Sequence, residues 1–161
     1  MPAARARHFL MMQWQRLFGG RAHRLQVAAL PWRRSGGEIE IMLVTSRGSG
    51  RWILPKGWPK PGEALCDAAA REAGEEAGIT GTIAQQTLGS YRYEKRSDRS
   101  ISYEVQVYPL AVQAVAKTWR ERNQRERRWM SQTQAAANVR EPELAAMIHA
   151  FSPTAVERQA A

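Results

Sequence analysis

The sequence predicts an α/β or α+β fold, a single domain in which strands and helices interleave on a mixed sheet. Three observations lead there. Period-two stretches, such as Ile39, Ile41 and Leu43 against Glu40 and Met42, read as half-buried strands. Helical stretches bounded by glycine and proline separate them. A chain of 161 residues with 43% hydrophobic content is long enough for one domain with a proper core, too short for two comfortable ones, and is not globally disordered.

The elements follow in order. Residues 1–24 form a basic tail or short helix, with an amphipathic segment at 8–18 that Gly19 and Gly20 would stop. The domain spans 25–155, and 156–161 is a second tail. A first strand at 26–32 ends or bulges at Pro31. Ser35-Gly36-Gly37 is a turn into a strand at 38–46. The apolar Trp52-Ile53-Leu54 leads into a Gly/Pro loop at 55–62. A helix at 64–77 stops on Gly78. Strands at 82–93 and 101–115 come next. The charged run 117–128 reads as a surface connection before a short strand at 128–130. Helices at 132–138 and 142–151 close the domain.

The net charge is +9, of which residues 1–37 supply +7 with seven arginines and no acid. Such a balance suits a polyanionic partner or a solvated basic tail. The single cysteine, Cys66, forms no internal disulfide, and the three histidines show no zinc spacing. No apolar run reaches the roughly 20 residues of a membrane span. These features predict a soluble, cytoplasmic protein. The Arg-rich start also matches a mitochondrial targeting peptide, the lesser alternative.

The chemistry concentrates in the 64–77 helix. At about 100° per residue, Glu72, Glu75 and Glu76 share one face. Like charges four apart disfavour a helix, and carboxylates near its C-terminal end oppose its dipole. A cation would compensate both, and three hard carboxylates suit Mg²⁺ or Mn²⁺. Cys66, Ala69, Ala70, Ala73 and Ala77 form a small-residue stripe that brings the helix close to a sheet. Gly57 and Gly62 let the preceding loop bend, and Pro59 and Pro61 restrict it.

The run from Gly57 to Ile79 fits Gly-x5-Glu-x7-Arg-Glu-U-x-Glu-Glu-x-Gly-U, where U is a bulky aliphatic residue, and departs only at Ala73. It is identified as a Nudix box. The resemblance implies an α/β/α sandwich on a mixed sheet, and a metal-dependent hydrolase of diphosphate bonds. It implies Glu72, Glu76 and the backbone carbonyl of Lys56 as metal ligands, and Glu75 as general base or water-orienting group. Arg71 would hold the glutamates, while Gly57 and Glu63 support the loop.

The runs RWILPKGWP, LGSYRYEKRSDRS and RERRWM, together with the box, resemble the diphosphoinositol polyphosphate phosphohydrolase branch, which includes diadenosine polyphosphate hydrolases. That narrower resemblance implies a highly phosphorylated substrate gripped by Arg24, Ser46, Arg47, Arg51, Arg92, Lys95, Arg96, Arg99 and Arg127. A fourth metal carboxylate would come from Glu104, Glu121 or Glu126.

Two alternatives stand beside this reading. One is a Nudix enzyme for a nucleoside diphosphate sugar, a nucleoside triphosphate or a capped RNA. The other is a non-catalytic module that binds RNA or a protein, although all four box glutamates are kept. Residues 80–100 lack the proline that marks ADP-ribose enzymes. A homodimer is a further expectation.

Overall fold

The structure, a computed structural model, describes residues 23–95 and 97–154. The expected helix at 8–18, the tail at 156–161 and Arg96 lie outside the described residues.

Among the described residues, eleven elements follow one another: β1 (His23–Ser35), β2 (Glu38–Thr45), β3 (Trp52–Ile53), β4 (Lys56–Gly57), α1 (Leu65–Ala77), β5 (Ile79–Ile83), β6 (Gly89–Lys95), β7 (Asp98–Val115), β8 (Arg127–Ser131), α2 (Gln132–Asn138) and α3 (Pro142–Ala150). The strands form one mixed sheet with the spine β3-β2-β1-β7-β5. β4 pairs with β1, β6 with β7, and β8 with β2. β1 and β7 run parallel over ten register pairs, from His23↔Ser102 to Trp32↔Ala111. The other pairings are antiparallel. Helix α1 covers one face, and α2 and α3 cover the other, which makes the expected sandwich.

Each face has its own core. Val27, Ala29, Met42, Val44, Tyr108 and Leu110 meet the alanines of α1. Ala28, Leu30, Ile41, Leu43, Val105 and Val107 meet Leu144 and Ile148 of α3. β2 is therefore buried on both faces from Ile41 to Val44, not half-buried as its alternation suggests. The small-residue stripe of α1 is also shifted. Ala68, Ala69, Ala73 and Ala77 are buried, while Cys66 and Ala70 sit half-buried at its margin.

Two of the differences from the expected strands turn on a proline. β1 continues through Pro31 to Ser35. Ala29 N–H donates to Pro55 O on the β4 side. Backbone donors alternate along a strand, so the nitrogen of Pro31 points to that same side. Pro31 lies after the β4 pairing and before the β2 pairing begins at Trp32. The absent donor thus faces a gap in the ladder. The expected strand at 82–93 is two strands, β5 and β6, both paired to β7. Ala84 N–H donates to Pro109 O, but Pro109 has no N–H to return, and β5 ends at Ile83.

The C-terminus of α1 is fixed as the sequence suggests. Gly78 adopts φ 62° and ψ 38°, and its N–H donates to Gly74 O. A side chain at Gly78 would also collide with the Trp119 ring.

Candidate active site

The Gly/Pro loop is locked to α1 by one arginine. Arg71 donates from Nε to Glu63 Oε1 at 2.8 Å and from Nη2 to Glu63 Oε2 at 3.1 Å. Nη2 also reaches Trp58 O at 3.0 Å, and Nη1 reaches Glu72 Oε1 at 2.8 Å. Glu63 closes the loop by accepting from Lys60 N–H at 2.9 Å. The Arg71 fork holds the Glu63 carboxyl down at about 2, and the Lys60 amide adds to this. Gly57 packs so tightly on the Glu72 carboxylate that any side chain there would overlap it.

Each of the three glutamates on the α1 face meets an arginine. Glu72 takes Arg71. Glu75 takes Arg120 Nη1 at 3.1 Å, with Arg71 Nη1 at 3.6 Å. Glu76 is buried and takes Arg125 Nη2 at 2.6 Å on Oε1 and the Lys56 amide at 3.1 Å on Oε2. Burial pushes the Glu76 carboxyl up to about 7, although Arg125 opposes the rise. Arg125 also donates to Glu121 Oε2 and to Thr45 O. Reading 117–128 as a surface connection misses this residue. Its one local signal is the i,i+4 spacing of Glu121 and Arg125.

Of the three candidates for a fourth carboxylate, Glu121 is the one drawn to this cluster, through Arg125 and through its amide bond to Glu75 O. Glu104 lies 3.9 Å from Arg92 on the sheet. The Glu126 side chain is exposed. As they stand, no three His, Cys, Asp or Glu side chains among the described residues converge to hold a metal ion. The donor set nevertheless suits a hard divalent cation, since Glu72, Glu75 and Glu76 present hard carboxylate oxygens from one helix face. The Arg120 side chain is 72% exposed.

Lys56 joins the two faces of the sheet. Its amide holds Glu76, while its ammonium points to the other face, within 3.3 Å of Tyr93 Oη and 3.5 Å of Gln26 Oε1. Burial lowers its pKa to about 8. Tyr93 Oη donates to Gln26 Oε1 at 2.6 Å.

Beyond Tyr93 opens a cleft of about 850 Å³. Arg51, Arg92, Lys95 and Arg99 line it as a group, joined by Arg140 and Glu141, which the sequence did not single out. Arg51 Nη1 lies 3.4 Å from Glu141 Oε1. Arg24 is exposed on β1, in register with Tyr103. Ser46 borders a second groove, near Arg125, where its Oγ accepts from Arg51 N–H at 3.1 Å. Arg47 turns to Gln124 at 3.1 Å and Glu121 at 3.9 Å.

Arg127 is placed differently from the expectation of a phosphate contact. Its guanidinium donates to Ala77 O and Ala116 O, both at 2.6 Å, and stacks 3.8 Å from the Trp119 ring. It caps the carbonyl end of α1, with each terminal nitrogen donating to one backbone carbonyl.

Comparison with known proteins bears on the family and the fold. The family model described as NUDIX domain matches residues 22–151. Nudix hydrolase 21, chloroplastic, of Arabidopsis thaliana is 34% identical over 117 residues, covering 70% of this chain and 58% of its own length. Diphosphoinositol polyphosphate phosphohydrolase 3-beta of Bos taurus is 39% identical over 87 residues, covering 53% of this chain and 50% of its own. The chain thus spans between half and three-fifths of the length of these relatives. A binary complex of a C. elegans Ap4A hydrolase superposes with a TM-score of 0.58 at 25% identity, over 78% of this chain and 92% of that one. A NUDIX hydrolase from Nitrosomonas europaea, at 21% identity and a TM-score of 0.63, shares the fold. Several plant relatives carry chloroplastic or mitochondrial names. No helix among the described residues is long and apolar enough to cross a membrane. Proteins of this family generally use a divalent metal such as Mg²⁺, which fits the carboxylate face of α1. With the family model spanning residues 22–151, this chain belongs to the Nudix family.

Proposed function

We propose that this chain hydrolyses a diphosphate bond in a polyphosphorylated substrate, an inositol pyrophosphate or a dinucleoside polyphosphate, with a divalent cation held by α1. The observation that carries the reading is the pairing of one carboxylate-rich helix face with a nearby basic cleft, linked through Lys56. Glu72, Glu76 and the Lys56 backbone carbonyl would hold Mg²⁺ or Mn²⁺, with Glu121 as the further carboxylate. When bound, such an ion neutralises diphosphate charge and makes attacking water more acidic. Glu75 takes the proton of that water. Arg71 keeps Glu72 and the loop in register through Glu63. Arginine forks match phosphate oxygens, so Arg51, Arg92, Lys95 and Arg99 grip the phosphate chain, with Arg140 beside them. Arg24, Ser46, Arg47 and Arg96 stand as outer contacts. A phosphate that reaches Arg51 displaces Glu141.

The test is product release from inositol pyrophosphate, diadenosine polyphosphates, ADP-ribose, nucleoside triphosphates and capped RNA. Wild type and Glu75→Gln are compared in Mg²⁺ and in Mn²⁺. Activity on the long phosphate chains, reduced by about 100-fold or more in Glu75→Gln, supports the proposal. Turnover confined to another member of the panel keeps the chemistry and discards the substrate class. No turnover at all favours a binding module.

A further inference from the structure

Trp52, Trp58 and Trp129 all fall in or beside the motif segments, and the structure separates them. Trp52 and Trp129 are half-buried against the two cores, with Arg128 and Arg33 over their rings at 5.1 and 4.1 Å. Trp58 is 45% exposed, and only Leu25 and Val115 share that distinction among large hydrophobic residues described.

Trp58 is exposed but anchored. Its carbonyl is held by Arg71, and its ring leans on Tyr103 at 5.8 Å and 57°. Tyr103 stacks on Tyr93 at 5.0 Å and 14°, and Tyr93 lines the basic cleft. At the near end, Gly57 touches the Glu72 carboxylate. One aromatic wall therefore runs from the carboxylate helix to the cleft. Tyr103 is already covered by Tyr93, by Trp58 and by Lys95, whose Nζ lies 5.2 Å from its ring centroid. The open surface of the wall is the indole of Trp58.

We propose that Trp58 is a stacking platform for a nucleobase, and that it selects nucleoside polyphosphates over inositol pyrophosphates. The proposal rests on the hydrolase reading above and narrows its substrate. A phosphorylated inositol ring has no π-face, and a cationic cleft alone would serve it. A purine has one, and base–aromatic stacking tolerates either purine. Trp58 follows the residue that touches Glu72, so a base stacked there places its first phosphates beside the α1 carboxylates. The rest of the phosphate chain runs along the aromatic wall toward Arg51, Arg99 and Arg140.

The experiment uses AMP, which contains no diphosphate bond, as the binding probe and inorganic tripolyphosphate as its base-free control. Both are titrated calorimetrically without metal. Trp58→Leu keeps apolar bulk and removes the π-face; Trp58→Phe restores one. Expected is an AMP affinity about 10-fold weaker in Trp58→Leu, largely recovered in Trp58→Phe, with tripolyphosphate changed less than about 2-fold. AMP also quenches indole fluorescence in the wild type and not in Trp58→Phe, a readout that holds even if Trp58→Leu folds poorly. In turnover, Trp58→Leu raises KM for diadenosine tetraphosphate and leaves inositol pyrophosphate unchanged. Equal losses on both substrates, or an AMP affinity indifferent to residue 58, overturn the platform while leaving the hydrolase reading intact. Absence of turnover on every diphosphate removes the hydrolase reading, and the AMP titration still decides the platform.

Discussion

Arg125 Nη2 meets Glu76 Oε1 at 2.6 Å, with side chains only 6% and 8% exposed. The same guanidinium holds Glu121 and the carbonyl of Thr45. Three segments distant in the chain, the end of α1, the end of β2 and the 117–126 connection, therefore close on one buried charge. Removing that charge leaves Glu76 with the Lys56 amide and Glu121 with the more distant Arg47. Arg125→Met is expected to cost about 3–5 kcal/mol. Adding Glu76→Gln should recover part of the loss. Urea denaturation of both variants measures it, and a cost below about 1 kcal/mol for the single change would contradict the buried-pair account.

The Glu63–Arg71 fork makes a pH prediction. The Glu63 carboxyl is held at about 2 against an ordinary 4.5. A depressed acid binds its proton less readily when folded, so its stabilisation is complete above about 4.5. It is lost as pH falls from there through about 2. Glu63→Gln should flatten the acid limb of a stability–pH curve in this window and leave its shape unchanged above pH 6. Parallel wild-type and variant curves down to pH 2 would count against the fork.

Gly57 is required by its neighbour, not by its backbone angle. A methyl group there would overlap the Glu72 carboxylate, which lies at the end of a flexible side chain and can move aside. Gly57→Ala should therefore fold normally yet bind Mn²⁺ about 10-fold more weakly. Electron paramagnetic resonance titration of free Mn²⁺ reads this directly. Unchanged affinity with a normal fold would show that Glu72 keeps its place without the glycine.

Arg127 is expected to act in stability and not in substrate binding. Its bonds to Ala77 O and Ala116 O predict that Arg127→Ala loses about 1–3 kcal/mol of stability. Its KM for long-chain substrates should stay within about 2-fold of wild type, whereas Arg99→Glu should raise it more for long than for short phosphate chains. A large KM effect from Arg127→Ala, without loss of stability, would reverse this assignment.

What could be read from the sequence was whatever depends on near neighbours. The order Gly57, Glu63, Arg71, Glu72, Glu75, Glu76 and Gly78 lies within one loop and one helix, so its spacing carries its geometry. The left-handed stop at Gly78 and the limits of α2 were legible for the same reason. Arg125 and Arg127 show what was not. They are two positions apart in one basic run, yet the first enters the carboxylate cluster and the second caps α1. Only the path of the 117–126 connection across the domain distinguishes them. The exposure of Trp58 and the half-burial of Trp52 and Trp129 likewise depend on packing between distant strands. The break at 84–88 was hidden because its cause, Pro109, lies on another strand.

The two prolines of the central strands have a consequence for how the sheet opens. Pro31 and Pro109 occupy adjacent rungs of the same parallel ladder, Leu30↔Pro109 and Pro31↔Leu110, and each turns its missing donor outward. β1 and β7 thus form an unbroken keel, while the shorter strands attach to its two sides as separate planks. A plank can lift at either seam without baring an unpaired N–H from the proline itself. Amide exchange should reflect this hierarchy, with the β1–β7 rungs protected longest and β4, β5 and β6 released as independent units. Insertions in the 46–51 connection would then alter the edge of the cleft, where Arg51 sits, and leave the keel intact.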